Sequence, residues 1–372
     1  LIDKAGGLMD QKNAPLHTIY AAGISATLDL GLGQLHRLVV ERDGRLINPW
    51  ARVPWADGPD NPERFTPEMP THLRRMSGDF FCAPFVLDDV EGAPPHGWTA
   101  NGSWSLKDDR PIANGRKATF ELTRKVAGAT VQKVWTLLDD HPFLYQAHCF
   151  IGGTGALPMA HHAMIDLRSG GLIGFSPKQW AETPATAIED GSCGGRSILQ
   201  YPARTSDLTA FPSQNGPVDL TRYPFADHHD DFAMLVDVPT GDFGWATALR
   251  PVQRDVAILI KPVAVLPQTM LWMSNGGRPY APWNGEHVGV LGIEEACSYG
   301  ANGRHASARD NELTRAGIAT AIDLGAAPMV EVRTAMGALP SLAKAALALD
   351  INQTDVMLSD GTTVPFAGHL LA

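Results

Sequence analysis

Apolar and polar residues alternate with a period of two along much of the chain, the repeat of a strand whose two faces meet different surroundings. Lys117 to Lys125 (KATFELTRK) sets Ala118, Phe120 and Leu122 on one face and Thr119, Glu121 and Thr123 on the other. A Val-Ala-Gly-Ala-Thr turn separates it from the run Val131 to Leu138, so the two segments read as a β-hairpin. Further strands are predicted at Leu144–Ile151, Phe232–Val238, Gly244–Leu249, Asp255–Ile260, Thr269–Met273, His287–Ile293 and Met329–Met336, each bounded by Gly, Pro, Asn or Asp. Helical periodicity is scarce. Pro340 to Leu349 (PSLAKAALAL) fits a short helix, although its alternation also allows a strand.

Short strands at regular spacing predict an all-β fold, a large sandwich or barrel. The lack of alternating strand and helix patterns argues against doubly wound and (β/α)-barrel architectures. A hydrophobic fraction of 44% supplies a large core and excludes intrinsic disorder. The 37 glycines and 28 prolines follow no period, which excludes collagen and provides turns for many strands. No repeat or low-complexity linker marks a boundary. Residues 1–372 are therefore read as one domain, with 1–15 an N-terminal tail and 181–223 a loop insertion.

Charge narrows the partners. Thirty Lys and Arg against 40 Asp and Glu give −10, which excludes a dominant role in binding nucleic-acid phosphates. No stretch reaches the ~20 consecutive apolar residues of a membrane helix. Leu1 to Gln11 contains Asp3, Lys4 and Asp10 and does not read as a signal peptide. The four cysteines, Cys82, Cys149, Cys193 and Cys297, lie far apart with no C-x-x-C pair, which suits a reducing compartment and a cytoplasmic location.

Common catalytic signatures are missing: Gly31-Leu32-Gly33 lacks the third glycine of a dinucleotide site, and there is no Walker loop, H-E-x-x-H or G-x-S-x-G. Candidate chemistry rests on histidines and acids. Asp227-His228-His229-Asp230-Asp231 suggests a metal, but alternation lets only alternate members of a strand share one ion, and a polar loop before Phe232 is the plainer reading. His161-His162 opens the apolar segment AHHAMIDL, where a hydrogen-bonded core histidine is the plainer reading. His96 stands in the rigid turn PPHGW beside Trp98. Glu294-Glu295 follows the strand VGVLGI; alternation sends one carboxylate inward, whereas a strand ending at Ile293 leaves both solvated.

The order of these motifs resembles the aldose 1-epimerase (galactose mutarotase-like) family. LWMSNGGRPYAPWNGEHVGVLGIEEACSY (Leu271 to Tyr299) is similar to the family's late Trp- and Asn-rich stretch with its G-I-E strand end. SGDFFCAPF followed by PPHGWTANGSW resembles the early block around a His-Gly motif, and AHHAMIDL the middle block, with His162 as the counterpart of its histidine. The resemblance runs in order over roughly residues 30 to 340. Three features depart from it. Ala163-Met164 replaces an aromatic pair, the family's G-R-x-x-N-R-I block is not recognisable, and Glu295 replaces a proline.

This resemblance implies a β-super-sandwich and an isomerase that interconverts the anomers of a free or modified monosaccharide without metal or redox cofactor. It implies Glu294 as base and His162 as acid, with His96 on a sugar hydroxyl or the ring oxygen. Asp231 would grip hydroxyls, Trp98, Trp272 and Trp283 would offer aromatic faces, and Arg75, or equally Arg74, would touch substrate. A non-catalytic carbohydrate-binding or sensing protein and a related super-sandwich lyase or hydrolase are the alternatives. The sequence does not specify the sugar or the oligomeric state.

Overall fold

The computed structural model describes residues 15–58, 61, 63–189 and 191–372. Apart from Pro15, the expected tail at 1–15 lies outside them. Two antiparallel sheets face each other. One has seven strands, numbered here in chain order as β1 (Asp79–Cys82), β2 (Met159–Asp166), β3 (Lys178–Thr183), β4 (Ala203–Thr205), β5 (His229–Asp237), β6 (Gln268–Asn275) and β7 (Val290–Cys297). Their spatial order is β4-β3-β5-β6-β7-β2-β1. The opposing sheet has nine strands, with Asp255–Pro262 and Met329–Pro340 near its middle and the expected hairpin, Gly115–Leu122 paired with Thr130–Leu138, towards one edge.

Alternation sorts the side chains of the seven-stranded sheet into two apolar layers. Phe81, Ala163, Leu235, Leu271 and Ile293 meet Phe120, Trp135, Ala257 and Leu259 of the other sheet in the sandwich core. Phe80, Met164, Phe232, Met234 and Met270 form a second cluster on the opposite face. This sheet is therefore buried on both sides, and its central strands β5 and β7 are buried at every position. A three-stranded C-terminal sheet (Leu349–Ile351, Asp355–Leu358, Thr363–Pro365) packs Val356, Leu358 and Phe366 on the outer face of the nine-stranded sheet.

Two expectations change. The strand expected at His287–Ile293 begins at Val290 and continues to Cys297, so Glu294 and Glu295 lie inside it, each 2% exposed. Both carboxylates are buried because each face of β7 is covered by a layer of protein. Pro340–Leu349 forms no helix: the preceding strand ends at Pro340, and the Leu347 carbonyl accepts from Thr247 Oγ1 at 2.6 Å rather than from a helical turn. Within 181–223 the regular elements are the end of β3, the short strands β4 and Arg222–Tyr223, and two single 3-10 turns.

A charged cluster bridges the sheets. Lys261, from the strand Asp255–Pro262, reaches Glu295 Oε2 at 2.5 Å, Asp237 Oδ2 at 2.8 Å and Thr269 Oγ1 at 2.9 Å. Lys178 of β3 pairs with Asp237 and also bonds Thr269 Oγ1. Burial opposes the Lys261 charge, yet Asp237 and Glu295 outweigh it and hold its pKa above the usual range. The four ionic groups balance two against two. Removing one partner of such a set strands a charge away from water, which costs about 3–5 kcal/mol. Lys261→Met should lower stability in urea unfolding by that amount, and Lys261→Met with Glu295→Gln should recover part of it. A single variant as stable as the parent would contradict this role.

Candidate active site

β2 and β7 are neighbours, and their register sets His162 directly opposite Glu294 and His161 opposite Glu295. β1, on the other side of β2, sets Phe80 opposite His162 and Phe81 opposite His161. Opposed residues share a face of the sheet. His162, Glu294 and Phe80 therefore point away from the sandwich core, while His161, Glu295 and Phe81 point into it. His162 Nε2 lies 2.9 Å from Glu294 Oε1. The Phe80 ring stacks on the imidazole at 4.4 Å, and Trp272 of β6 meets it edge-on at 5.4 Å. Gly292 keeps this space open: a Cβ there would lie 3.0 Å from His162 Cε1 and 3.3 Å from Glu294 Oε1.

His96 arrives from a different segment. It adopts a left-handed φ of 65°, and Gly97, at 71°, passes so close to Ala83 that a Cβ would fall 2.0 Å from its carbonyl oxygen. The turn carries the His96 ring to 5.7 Å from His162 and 5.1 Å from His72. Asn101 donates its amide to the carbonyls of Pro95 and Gly97, so its oxygen accepts from His72 Nδ1 at 3.0 Å and fixes that tautomer. Burial, then the Asn101 bond against it and the nearby His162, leave His72 with a pKa of about 4. Burial, then His72 and His162, push His96 well below its ordinary value. Both rings are neutral at neutral pH.

These side chains surround a cavity of about 200 Å³, completed by Phe85, Phe232, Arg278 and Trp283. The Arg278 guanidinium lies over Trp272 at 4.9 Å and Trp283 at 4.5 Å. Glu189 at 2.6 Å and Asp230 at 3.1 Å neutralise it. Glu294 Oε2, His162 Nδ1 and His96 Nδ1 are buried without a hydrogen-bond partner among the described residues. An apolar-walled pocket with a few converging polar atoms left unsatisfied is the usual form of a small-molecule site.

No protein-family model matches the chain. A curated relative, the "Putative glucose-6-phosphate 1-epimerase" of Escherichia coli K12, is 25% identical over 130 residues, which are 35% of this chain and 42% of that protein. The match thus spans less than half of the relative's length. Among solved structures, a galactose mutarotase related enzyme from Lactobacillus acidophilus superposes with a TM-score of 0.53 at 12% identity, covering 89% of this chain and 99% of that one. A galactose mutarotase-like protein from Lactobacillus casei gives 0.51 at 11% identity, covering 87% and 100%. This chain has the galactose mutarotase-like fold. The resemblance read from its motifs and the expected all-β super-sandwich both hold.

On this mutarotase-like scaffold, four of the expected site residues, His96, His162, Trp272 and Glu294, line one cavity, together with Trp283. The other three lie elsewhere. Asp231 faces the sandwich core, where Ile198 and Leu199 N–H groups, the Tyr201 hydroxyl and His229 Nδ1 all donate to it. It fastens the loop before Tyr201 and has no sugar-facing surface. Alternation instead gives the cavity side to Asp230, which accepts from Ser274 Oγ and holds Arg278. Arg75 pairs with Asp29 at 3.2 Å, and Trp98 packs beneath Arg124 at 4.1 Å. Arg74 lies over the Phe65 ring.

The Asp227–Asp231 cluster is not a loop throughout, since β5 begins at His229. Among the described residues no group of three His, Cys, Asp or Glu side chains is arranged to hold a metal ion. His72 and Arg278 were missed from sequence. Arg278 had a signal, a lone charge in the Gly- and Trp-rich stretch SNGGRPYAPW; His72, in THLRR, had none.

The depressed histidines set an acid limit on stability. An unfolded histidine binds its proton near pH 6.5, whereas His72 does so near 4 and His287, buried and close to Arg278, near 3. Between these values the unfolded chain holds more protons. The histidine contribution is therefore complete above pH 6.5 and is lost as pH falls towards 4, by roughly 1.4 kcal/mol per group per pH unit. The thermal midpoint, followed by circular dichroism, should fall between pH 7 and pH 5. A midpoint that holds steady across this interval would rule out neutral burial of these rings.

Proposed function

We propose that the protein is an aldose 1-epimerase, catalysing exchange between the α and β anomers of a reducing sugar. The observation that carries this reading is the His162–Glu294 pair facing a cavity with an unpartnered carboxylate oxygen. Opening a sugar ring requires a base at the anomeric hydroxyl and an acid at the ring oxygen; reclosure reverses the two roles. Glu294 Oε2 accepts the anomeric proton as the C1–O5 bond breaks. With its Nε2–H held on Glu294 Oε1, His162 gives a proton from its unpartnered Nδ1 to the departing ring oxygen. Rotation about C1–C2 presents the other face of the aldehyde, the C5 hydroxyl returns a proton to His162, and Glu294 protonates the new anomeric oxygen. Each group ends as it began.

The surrounding residues fit these roles. Neutral His96 is placed to hydrogen-bond a hydroxyl or the ring oxygen without adding a competing charge. Trp272 lines the cavity and adds apolar ring surface to its wall, with Arg278 lying over the ring. The reading treats the chain as one domain, because the pocket draws on His72, His96, His162 and Glu294 from separate segments. The free thiols Cys82, Cys149 and Cys297 support a cytoplasmic location.

Glu294→Gln should reduce anomer exchange, measured by polarimetry or NMR exchange spectroscopy, to the spontaneous rate with an unchanged circular dichroism spectrum. His162→Asn should lose about 10²–10⁴-fold, the usual share of general acid–base catalysis. Full exchange in Glu294→Gln would overturn the assignment. Sugar binding by the parent protein without accelerated exchange would select the binding-protein reading, and two products from an oligosaccharide would select a lyase or hydrolase.

A further inference from the structure

A second recess, of about 490 Å³, lies beside the His162–Glu294 cavity on the same face of the seven-stranded sheet. Three elements border both spaces. Phe232 of β5 lies in the floor of each. The end of β3 and the loop after it give Thr183 to Ala185 to the outer recess and Ile188 to the inner one. Beyond β7, Tyr299 and Gly300 line the outer recess while Ala301 lines the inner. The two spaces are therefore compartments of one cleft. The inner one is smaller than the roughly 300–1,000 Å³ usual for a small-molecule site, and the two together fall within that range.

Charge restricts what the outer compartment accepts. Its cation, Arg204, bonds Glu182 at 2.6 Å and Glu312 at 2.7 Å, so two carboxylates answer one guanidinium. In the inner compartment Arg278 is held the same way by Glu189 and Asp230. A phosphate or carboxylate entering either space meets excess negative charge. A hydroxyl meets carboxylate acceptors and guanidinium donors, with Tyr299 and Met234 offering apolar surface for a ring face.

We propose that the outer compartment is a second saccharide subsite and that the substrate is an uncharged reducing di- or oligosaccharide. Its reducing ring occupies the His162–Glu294 cavity and the next ring lies against Arg204, Glu182 and Tyr299. The substrate part of this proposal rests on the epimerase reading; the subsite itself does not.

The test compares kcat/KM for anomer exchange of glucose, a panel of reducing disaccharides (maltose, cellobiose, lactose) and glucose 6-phosphate. At least one disaccharide should exceed glucose tenfold or more, and glucose 6-phosphate should fall below glucose. Ala185→Trp, an exposed loop change that narrows the outer compartment, and Arg204→Ala should each remove the disaccharide advantage while leaving glucose exchange as it was. Equal values for glucose and every disaccharide, insensitive to both variants, would overturn the subsite and leave the epimerase reading standing. A preference for glucose 6-phosphate would overturn the uncharged substrate. If no sugar is exchanged, the epimerase reading fails on its own. NMR titration with the disaccharides then decides the subsite: shifts at Tyr299 and Arg204 that Ala185→Trp abolishes support it, and their absence ends it.

Discussion

The register between β2 and β7 is the constraint on which the rest depends. It opposes the pair His161-His162 to the pair Glu294-Glu295, and strand alternation divides the four side chains between two faces. One histidine and one glutamate meet beside the cavity at 2.9 Å. The other two turn into the sandwich, where His161 Nδ1 bonds Asp79 Oδ2 at 3.0 Å and Glu295 meets Lys261. A slip of one residue would exchange these environments and leave a carboxylate on each face without its partner. Because both faces are buried, such an error is far costlier than on a sheet with one wet side. Site geometry and strand pairing are thus specified by the same contacts.

The supporting shell shows the same economy of atoms. Gly292 leaves room for the His162–Glu294 contact from within β7 itself, two residues from the glutamate. Left-handed His96 and the close approach at Gly97 bring a loop histidine to a pocket otherwise made by strands. Asn101, on the short helix that follows, ties His72 to the same turn. A preorganised site needs its side chains locked by neighbours that cannot relax independently, and here each neighbour is bonded to another part of the same turn or sheet.

Much of this was legible in the sequence, for identifiable reasons. Period-two alternation located the 115–138 hairpin, since its strands expose residues on one side. Where both faces are covered, alternation of apolar with polar residues no longer reports exposure, so the sequence pattern ends the strand at Ile293 and does not reveal that both glutamates are buried within it. Motif order groups His96, His162, Trp272 and Glu294, which line one cavity, because each sits in a stretch of distinctive neighbours. Asp231 faces the core and its neighbour Asp230 the cavity side: in the unbroken polar run Asp227–Asp231, the sequence does not reveal which alternate member faces which way. His72 and the Glu189–Arg278 pair join distant segments through side-chain contacts, and local pattern contains no trace of them.

Glu295 connects the departures to the fold. The resemblance expects a proline after the glutamate, but β7 is a central strand paired on both sides, with His161 and Thr269 opposite residue 295. A proline there would remove a backbone donor from the ladder. With glutamate the ladder is kept, and a carboxylate enters the space between the sheets, where it is tolerable only beside a cation. Lys261 supplies that cation, and Asp237 and Lys178 restore the balance around it. The substitution at 295 is therefore intelligible only as one member of a four-residue set spread over β3, β5, β7 and the facing sheet. The two faces of the strand thus meet different surroundings: Glu294 borders the cavity beside His162, and Glu295 ties β7 to the facing sheet through Lys261.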